Sequence, residues 1–204
     1  MRTPMFNSKK TDGQSNAPYV MGFDMDGVIV DNTQNKIRLA KQFGFDLKPA
    51  DAVAERFQRL IPETILAKMR PILYDSEDMG LKPDIIPGAR EGLEMVRQSG
   101  RPYFLISRRG NWMMAVKMLE HQGLWPKYFN RDNAFFVITP EDKDIKAKSL
   151  GISAYVDDQP SVLEKLASVP QRLLFDQFRQ FGDLSFPHKK VSSWEELMGF
   201  LEIS

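Results

Sequence analysis

The chain has no cysteine and only two histidines in 204 residues. Without thiols there can be no disulfide, no thiolate metal site and no cysteine nucleophile. His121 and His188 are far apart and neither belongs to a metal-spaced pair, so both are expected to be ordinary surface or core residues. An excess of one charge is missing too. The net charge of +1 gives no global attraction for nucleic acid or an anionic membrane, and no stable nucleic-acid partner is expected. Any anion must be bound by local placement. No apolar run approaches the length of a membrane span. Residues 1–18 are polar and lack the apolar core of a signal peptide; they read as a flexible leader, and the cytoplasm is the expected location.

What is present is an ordinary folding composition, 42% apolar and 27% charged. This length supports one substantial core and leaves room for a small inserted subdomain. An apolar run over 19–23 reads as a short buried strand and ends abruptly in two carboxylates, Asp24 and Asp26. Alternate strand residues share a face, so both acids point the same way if the strand runs straight on. Gly27 lets the chain turn there and lets a ligand approach the backbone. Like charges that close repel, and a bound cation is the usual remedy; a hard all-oxygen site suits Mg²⁺. A calcium loop is disfavoured, because Val28, Ile29 and Val30 follow where further oxygen ligands would be needed.

Periodicity predicts a helix over 33–43, with Ile37 and Phe43 among its buried candidates. Pro49 and Asp51 open another, and Pro62 starts a third that buries Ile65, Met69, Ile72 and Leu73. With no strand pattern inside it, 33–83 reads as an all-helical insert between 19–32 and 84–204. Alternation then resumes, with strands over 102–106, 134–138, 152–156 and 172–175. Helices lie between them, striped by Ala89, Leu93 and Val96, by Trp112, Ala115 and Leu119, over 145–150, and by Leu163 and Leu166; a last one carries Trp194, Leu197, Met198 and Leu201. Short connections of this kind predict an α/β fold, a parallel sheet with helices on both faces.

Such sheets bind ligands at the carboxyl ends of their strands. Asp24 and Asp26 end the first strand, Ser107 the second and Asp157-Asp158 the fourth, while Lys143 follows the third. Taken singly, several of these mean little. Ser107 is a common turn residue, Lys143 competes with Lys146 and Lys148, and the paired acids are able to cap a helix. Together they collect on one edge, and they suit phosphoryl transfer. Asp24 is the candidate nucleophile, Asp26 the acid and base, Mg²⁺ and Lys143 the counter-charge, and Ser107 a phosphoryl-oxygen contact.

Phe23-Asp24-Met25-Asp26-Gly27-Val28, Phe104-Leu105-Ile106-Ser107, Lys143 and Tyr155-Val156-Asp157-Asp158 resemble, in order, the four motifs of the haloacid dehalogenase (HAD) superfamily. The resemblance implies a Rossmann-like core, Mg²⁺ dependence and a helical cap over 33–83. It implies that Asp24, the backbone carbonyl of Asp26 and Asp158 hold the metal, with Asp157 auxiliary. An acid at position 26 is what phosphatases and phosphomutases of the superfamily have and its dehalogenases lack, so dehalogenation is disfavoured. Val156-Asp157-Asp158-Gln159-Pro160 and Leu174-Phe175-Asp176-Gln177 are also similar to the 5'(3')-deoxyribonucleotidase branch, from which Phe178-Arg179-Gln180 departs. Arg108 and Arg109 are candidates to bind phosphate and Trp112 to stack on a base; the ordinary alternative is an exposed basic turn and a core indole. The expected activity is hydrolysis of a small phosphate ester such as a nucleoside 5'-monophosphate. A phosphomutase, or a binding module that has lost turnover, is the alternative.

Overall fold

The computed structural model describes residues 19–203; the leader expected over 1–18 lies outside them. All three residues of β1 (Met21–Phe23) are buried, and the strand is mid-sheet, parallel to β4 (Tyr103–Arg108) on one side and β6 (Ala154–Asp157) on the other. A strand covered on every side must be apolar throughout. Gly22 leaves the room that the ring of Tyr155 fills: a Cβ there would lie 2.3 Å from that ring. β5 (Ala134–Val137) lies outside β4, and β7 (Gln171–Phe175) and β8 (Lys189–Val191) lie outside β6. The order is β5-β4-β1-β6-β7-β8, parallel throughout. The chain therefore builds one side of the sheet from β1, then returns to build the other. That reversal opens a crevice at the carboxyl end of β1.

Alternate residues feed two cores. Leu105 and Val156 pack with α4 (Ala89–Gln98), α5 (Trp112–His121) and α8 (Trp194–Phe200) on one face. Ile106 and Tyr155 pack with α6 (Pro140–Ser149) and α7 (Pro160–Lys165) on the other. Trp194 stacks on Phe23 at 5.6 Å between ring centroids, and its Nε1 donates to the Val28 carbonyl at 2.7 Å. This contact anchors the loop after β1 from below.

Between Asp31 and Asp84 the chain forms α1 (Thr33–Gln42), a 3₁₀ turn (Pro49–Ala52), α2 (Ala54–Leu60) and α3 (Glu63–Asp75). These have a separate apolar cluster that includes Leu39, Phe57, Ile61, Leu66, Met69 and Leu73. Where the chain leaves and rejoins the sheet, β2 (Val30–Asp31) pairs antiparallel with β3 (Asp84–Ile85). No helix among the described residues is long and apolar enough to cross a membrane.

Several expectations shift. The buried face of α3 is Leu66, Met69 and Leu73, with Ile65 half-buried and Ile72 exposed, so the stripe lies to one side of the expected one. In α1 the buried apolar residues are Leu39 and Ala40, while Ile37 is half-buried, as is Phe43 just after the helix. The helix expected over 145–150 begins at Pro140, because Thr139 and Asp142 cap it reciprocally. β8 and the β2–β3 pair were not expected.

Candidate active site

Asp24 directly follows β1 and is buried. The Lys143 ammonium donates to its Oδ1 at 2.9 Å and to Asp157 Oδ2 at 2.7 Å. Lys143 is delivered by the first turn of α6. There the Asp142 N–H donates to Thr139 Oγ1 at 3.0 Å, and the Thr139 N–H donates back to Asp142 Oδ2 at 3.1 Å. This cap sets the helix phase, so Lys143 and Ala147 face inward while Lys148 is exposed. Burial works against the charge on Lys143, but Asp157 and Asp24 outweigh it and hold its pKa well above the usual value. Burial pushes Asp24 up to about 6, with Lys143 opposing and Asp157 and Asp26 adding to the rise.

Asp157 has both oxygens engaged, since its Oδ1 accepts from the Gln159 N–H at 2.9 Å. Asp158 differs: its Oδ1 is buried with no hydrogen-bond partner. Burial, then the charges of Asp157 and Asp24, push its pKa well above the carboxylate range, against a smaller pull from Lys36. One carboxylate oxygen from each of Asp24, Asp157 and Asp158 lies within 4.8 Å of the others. An orphaned buried oxygen in such a cluster calls for a cation, and an all-carboxylate set suits a hard one such as Mg²⁺. Gly27, at φ 80°, is what admits Asp158; a Cβ there would fall 2.2 Å from Asp158 Oδ2.

Asp26 turns to other partners. Arg109 grips it with Nε on Oδ2 at 2.9 Å and Nη2 on Oδ1 at 2.7 Å, and Asn32 Nδ2 reaches Oδ1 at 2.9 Å. Arg109 was expected to meet phosphate or to sit on an exposed turn, yet it is buried and committed to Asp26. Trp112, whose ordinary alternative was a core indole, is 55% exposed. Arg108 donates to Gln159 Oε1 at 2.8 Å, and Ser107 is buried within β4.

These groups meet at a cleft of about 590 Å³. Asp24, Asp26, Ser107, Arg108, Arg109 and Asp158 line its sheet side, and Lys36, Phe57, Arg70 and Tyr74 line the side contributed by 33–83. Phe178 lines it as well. Lys143 and Asp157 do not line it; Lys143, itself held by Asp157, braces Asp24 from behind. Asn32, Lys36 and Tyr74 were given no role in the sequence reading, and Gln159 had been read only as part of a resemblance. The same holds for Asp176. It is buried after β7 and accepts from the Gln180 and Phe181 N–H groups at 2.7 and 2.9 Å, shaping the loop that carries Phe178. An acid directly after an apolar run was the signal at Asp24, and it was equally present at Asp176.

The fold and the site together define an α/β protein with a buried carboxylate cluster at the switch point of its sheet. The fold is that of the HAD-superfamily hydrolases. A HAD family hydrolase from Deinococcus radiodurans R1, solved with bound phosphate and sodium, is 18% identical; the match covers 91% of this chain and 96% of that one at a TM-score of 0.60. A dehalogenase is 16% identical, over 94% and 100% of the two chains, at a TM-score of 0.63. A HAD-superfamily hydrolase from Ehrlichia chaffeensis is 13% identical, over 92% and 98%, at a TM-score of 0.56. At these identities the likeness is one of fold. Neither a family model nor a curated protein sequence matches the chain.

Proposed function

We propose that the protein is a Mg²⁺-dependent phosphatase that hydrolyses a small phosphate monoester through an aspartyl-phosphate on Asp24. The carrying observation is the end of β1. There a buried carboxylate is braced by an ammonium, beside an orphaned Asp158 oxygen and two residues from a second acid that faces the cleft. Asp24, Asp158 and the backbone carbonyl of Asp26 would hold the metal. Asp157 stands behind them, because its oxygens are already taken. Mg²⁺ held there would supply positive charge that offsets repulsion between the carboxylates and the phosphoryl group.

Asp24, with Lys143 donating to its Oδ1, is the carboxylate that attacks phosphorus in line. As that bond forms, the bond from phosphorus to the ester oxygen breaks, and Asp26 protonates the departing oxygen. Water then attacks the phosphorus of the aspartyl-phosphate and gives its proton to Asp26. Asp24 leaves as a carboxylate, and inorganic phosphate is released. Ser107 and Arg108, on the sheet side of the cleft, suit the phosphoryl oxygens. Segment 33–83 acts as the cap, excluding water and meeting the leaving group. Phe57, Tyr74 and Phe178 supply aromatic surface there, which makes nucleoside 5'-monophosphates the first substrates to test.

Phosphate release should be measured over nucleotides, sugar phosphates, phosphorylated amino acids and an aryl phosphate, with Mg²⁺ and with EDTA. Turnover should need Mg²⁺ and fall by several orders of magnitude in Asp24→Asn, which keeps shape but loses the attacking charge. An Asp24→Asn protein as active as the parent overturns the mechanism. Transfer of phosphate to a second substrate site without release would mark a mutase instead.

A further inference from the structure

We infer that Arg109 is the positioning residue for Asp26 and couples it to the 33–83 segment through Tyr74. The inference rests on the phosphatase function proposed above, which gives Asp26 its proton-transfer role. Asp26 lies past the end of β1, where the ladder no longer holds the backbone in strand geometry. Its side chain is 23% exposed, open to the cleft, and it needs something to aim it.

The aim comes from a two-point fork. Paired N–H donors fix the plane of a carboxylate, which a single donor such as Asn32 does not. An arginine given over to binding phosphate would turn that fork into the cleft. Here the fork is spent on Asp26, and what remains of the guanidinium is spent on Tyr74. Arg109 Nη1 reaches the Tyr74 carbonyl at 3.4 Å, and the guanidinium centre lies 4.3 Å from the centroid of the Tyr74 ring. Tyr74 is the next-to-last residue of α3. The end of that helix thus rests on the group that aims the acid.

The hydrogen bonds also say how much of the aim depends on Arg109. Asp26 Oδ1 has two donors, Arg109 Nη2 and Asn32 Nδ2, whereas Oδ2 has only Arg109 Nε. Without the guanidinium, Asn32 alone holds the carboxylate, by one oxygen, and its plane is free to turn. The seating of α3 and the aim of Asp26 are thus joined in one side chain.

The test compares kcat/KM for two esters. The leaving group of 4-nitrophenyl phosphate departs without protonation, whereas that of glycerol phosphate, an alkyl ester, requires it. Arg109→Lys keeps the charge and loses the fork. Tyr74→Ala keeps the backbone carbonyl and loses the ring, and Tyr74→Phe restores the ring. The ratio of alkyl to aryl kcat/KM should fall at least tenfold in Arg109→Lys and in Tyr74→Ala, and return towards the parent ratio in Tyr74→Phe. Equal losses on both esters overturn the inference, since a merely structural or phosphate-binding arginine would weaken both alike. A second readout needs no turnover. Backbone amides over 70–80 should exchange hydrogen faster in Arg109→Lys than in the parent, and unchanged protection there overturns the coupling. If the parent cleaves neither ester, the phosphatase function fails and exchange alone decides whether Arg109 ties α3 to Asp26.

Discussion

Lys143 is an ammonium at 1% exposure whose charge is tolerable only because Asp24 and Asp157 both face it. Removing one partner of a buried ion network leaves the others uncompensated, which typically costs about 3–5 kcal/mol. Lys143→Met should lose stability on that scale in urea denaturation, and more in EDTA than in Mg²⁺, where a cation replaces part of the missing charge. A loss below 1 kcal/mol, on the order of a surface pair, would mean the ammonium is not the keystone of the cluster. Gly27→Ala tests the same cluster from outside. Its Cβ would strike Asp158 Oδ2 at a φ that only glycine adopts freely, so the variant should lose its stabilisation by Mg²⁺. The acids were legible in the sequence because a carboxylate that ends an apolar strand has few places to go. Arg109 and Trp112 were not, since what buries Arg109 is Tyr74, contributed by the inserted segment from 35 positions earlier.

At the scale of elements, legibility followed length. β1, β4 and β6 announce themselves as apolar runs, and α4 and α8 as stripes of buried residues closed by glycine or opened by a serine cap. The β2–β3 pair has two residues on each side, too few for any periodicity, and exists because the insert brings its two ends together. β8 reads Lys-Lys-Val; an edge strand that displays charge hides its pattern while it guards against pairing with other chains. α3 was seen, but its face was misplaced by a fraction of a turn. Its buried residues are spaced at 66, 69 and 73, and Ile72 falls outside that arc. The difference is measurable. Met69→Ala should cost about 2–5 kcal/mol, as fully buried truncations do, while Ile72→Ala should stay within roughly 1 kcal/mol. Comparable losses at the two positions, read from denaturation midpoints, would place the helix in the orientation first expected.

For the whole molecule, the switch point concentrates Asp24, Asp26, Asp157 and Asp158 against Lys143 and Arg109. Without a cation this should appear in the pH dependence of folding. Asp24 has a native pKa of about 6 against an ordinary 3.8, and that of Asp158 is raised well above the same value. A carboxyl with a raised native pKa binds its proton more tightly when folded. Its contribution is fully present below the unfolded value and is lost as pH climbs through the native one. The metal-free protein should therefore lose stability from roughly pH 4 upward through pH 6 as Asp24 ionises, and further as Asp158 does. A divalent cation binds the ionised acids and stabilises the fold by mass action, so its effect must grow over the same interval. Melting temperatures in EDTA and in saturating Mg²⁺ should then run together at low pH and separate above about pH 6. Asp158→Ala should close most of that gap, whereas Asp157→Ala should close less, because Asp157 is already satisfied by Lys143 and the Gln159 N–H. If the two curves stay parallel across pH, no cation relieves the buried acids, and the orphaned oxygen of Asp158 needs another partner.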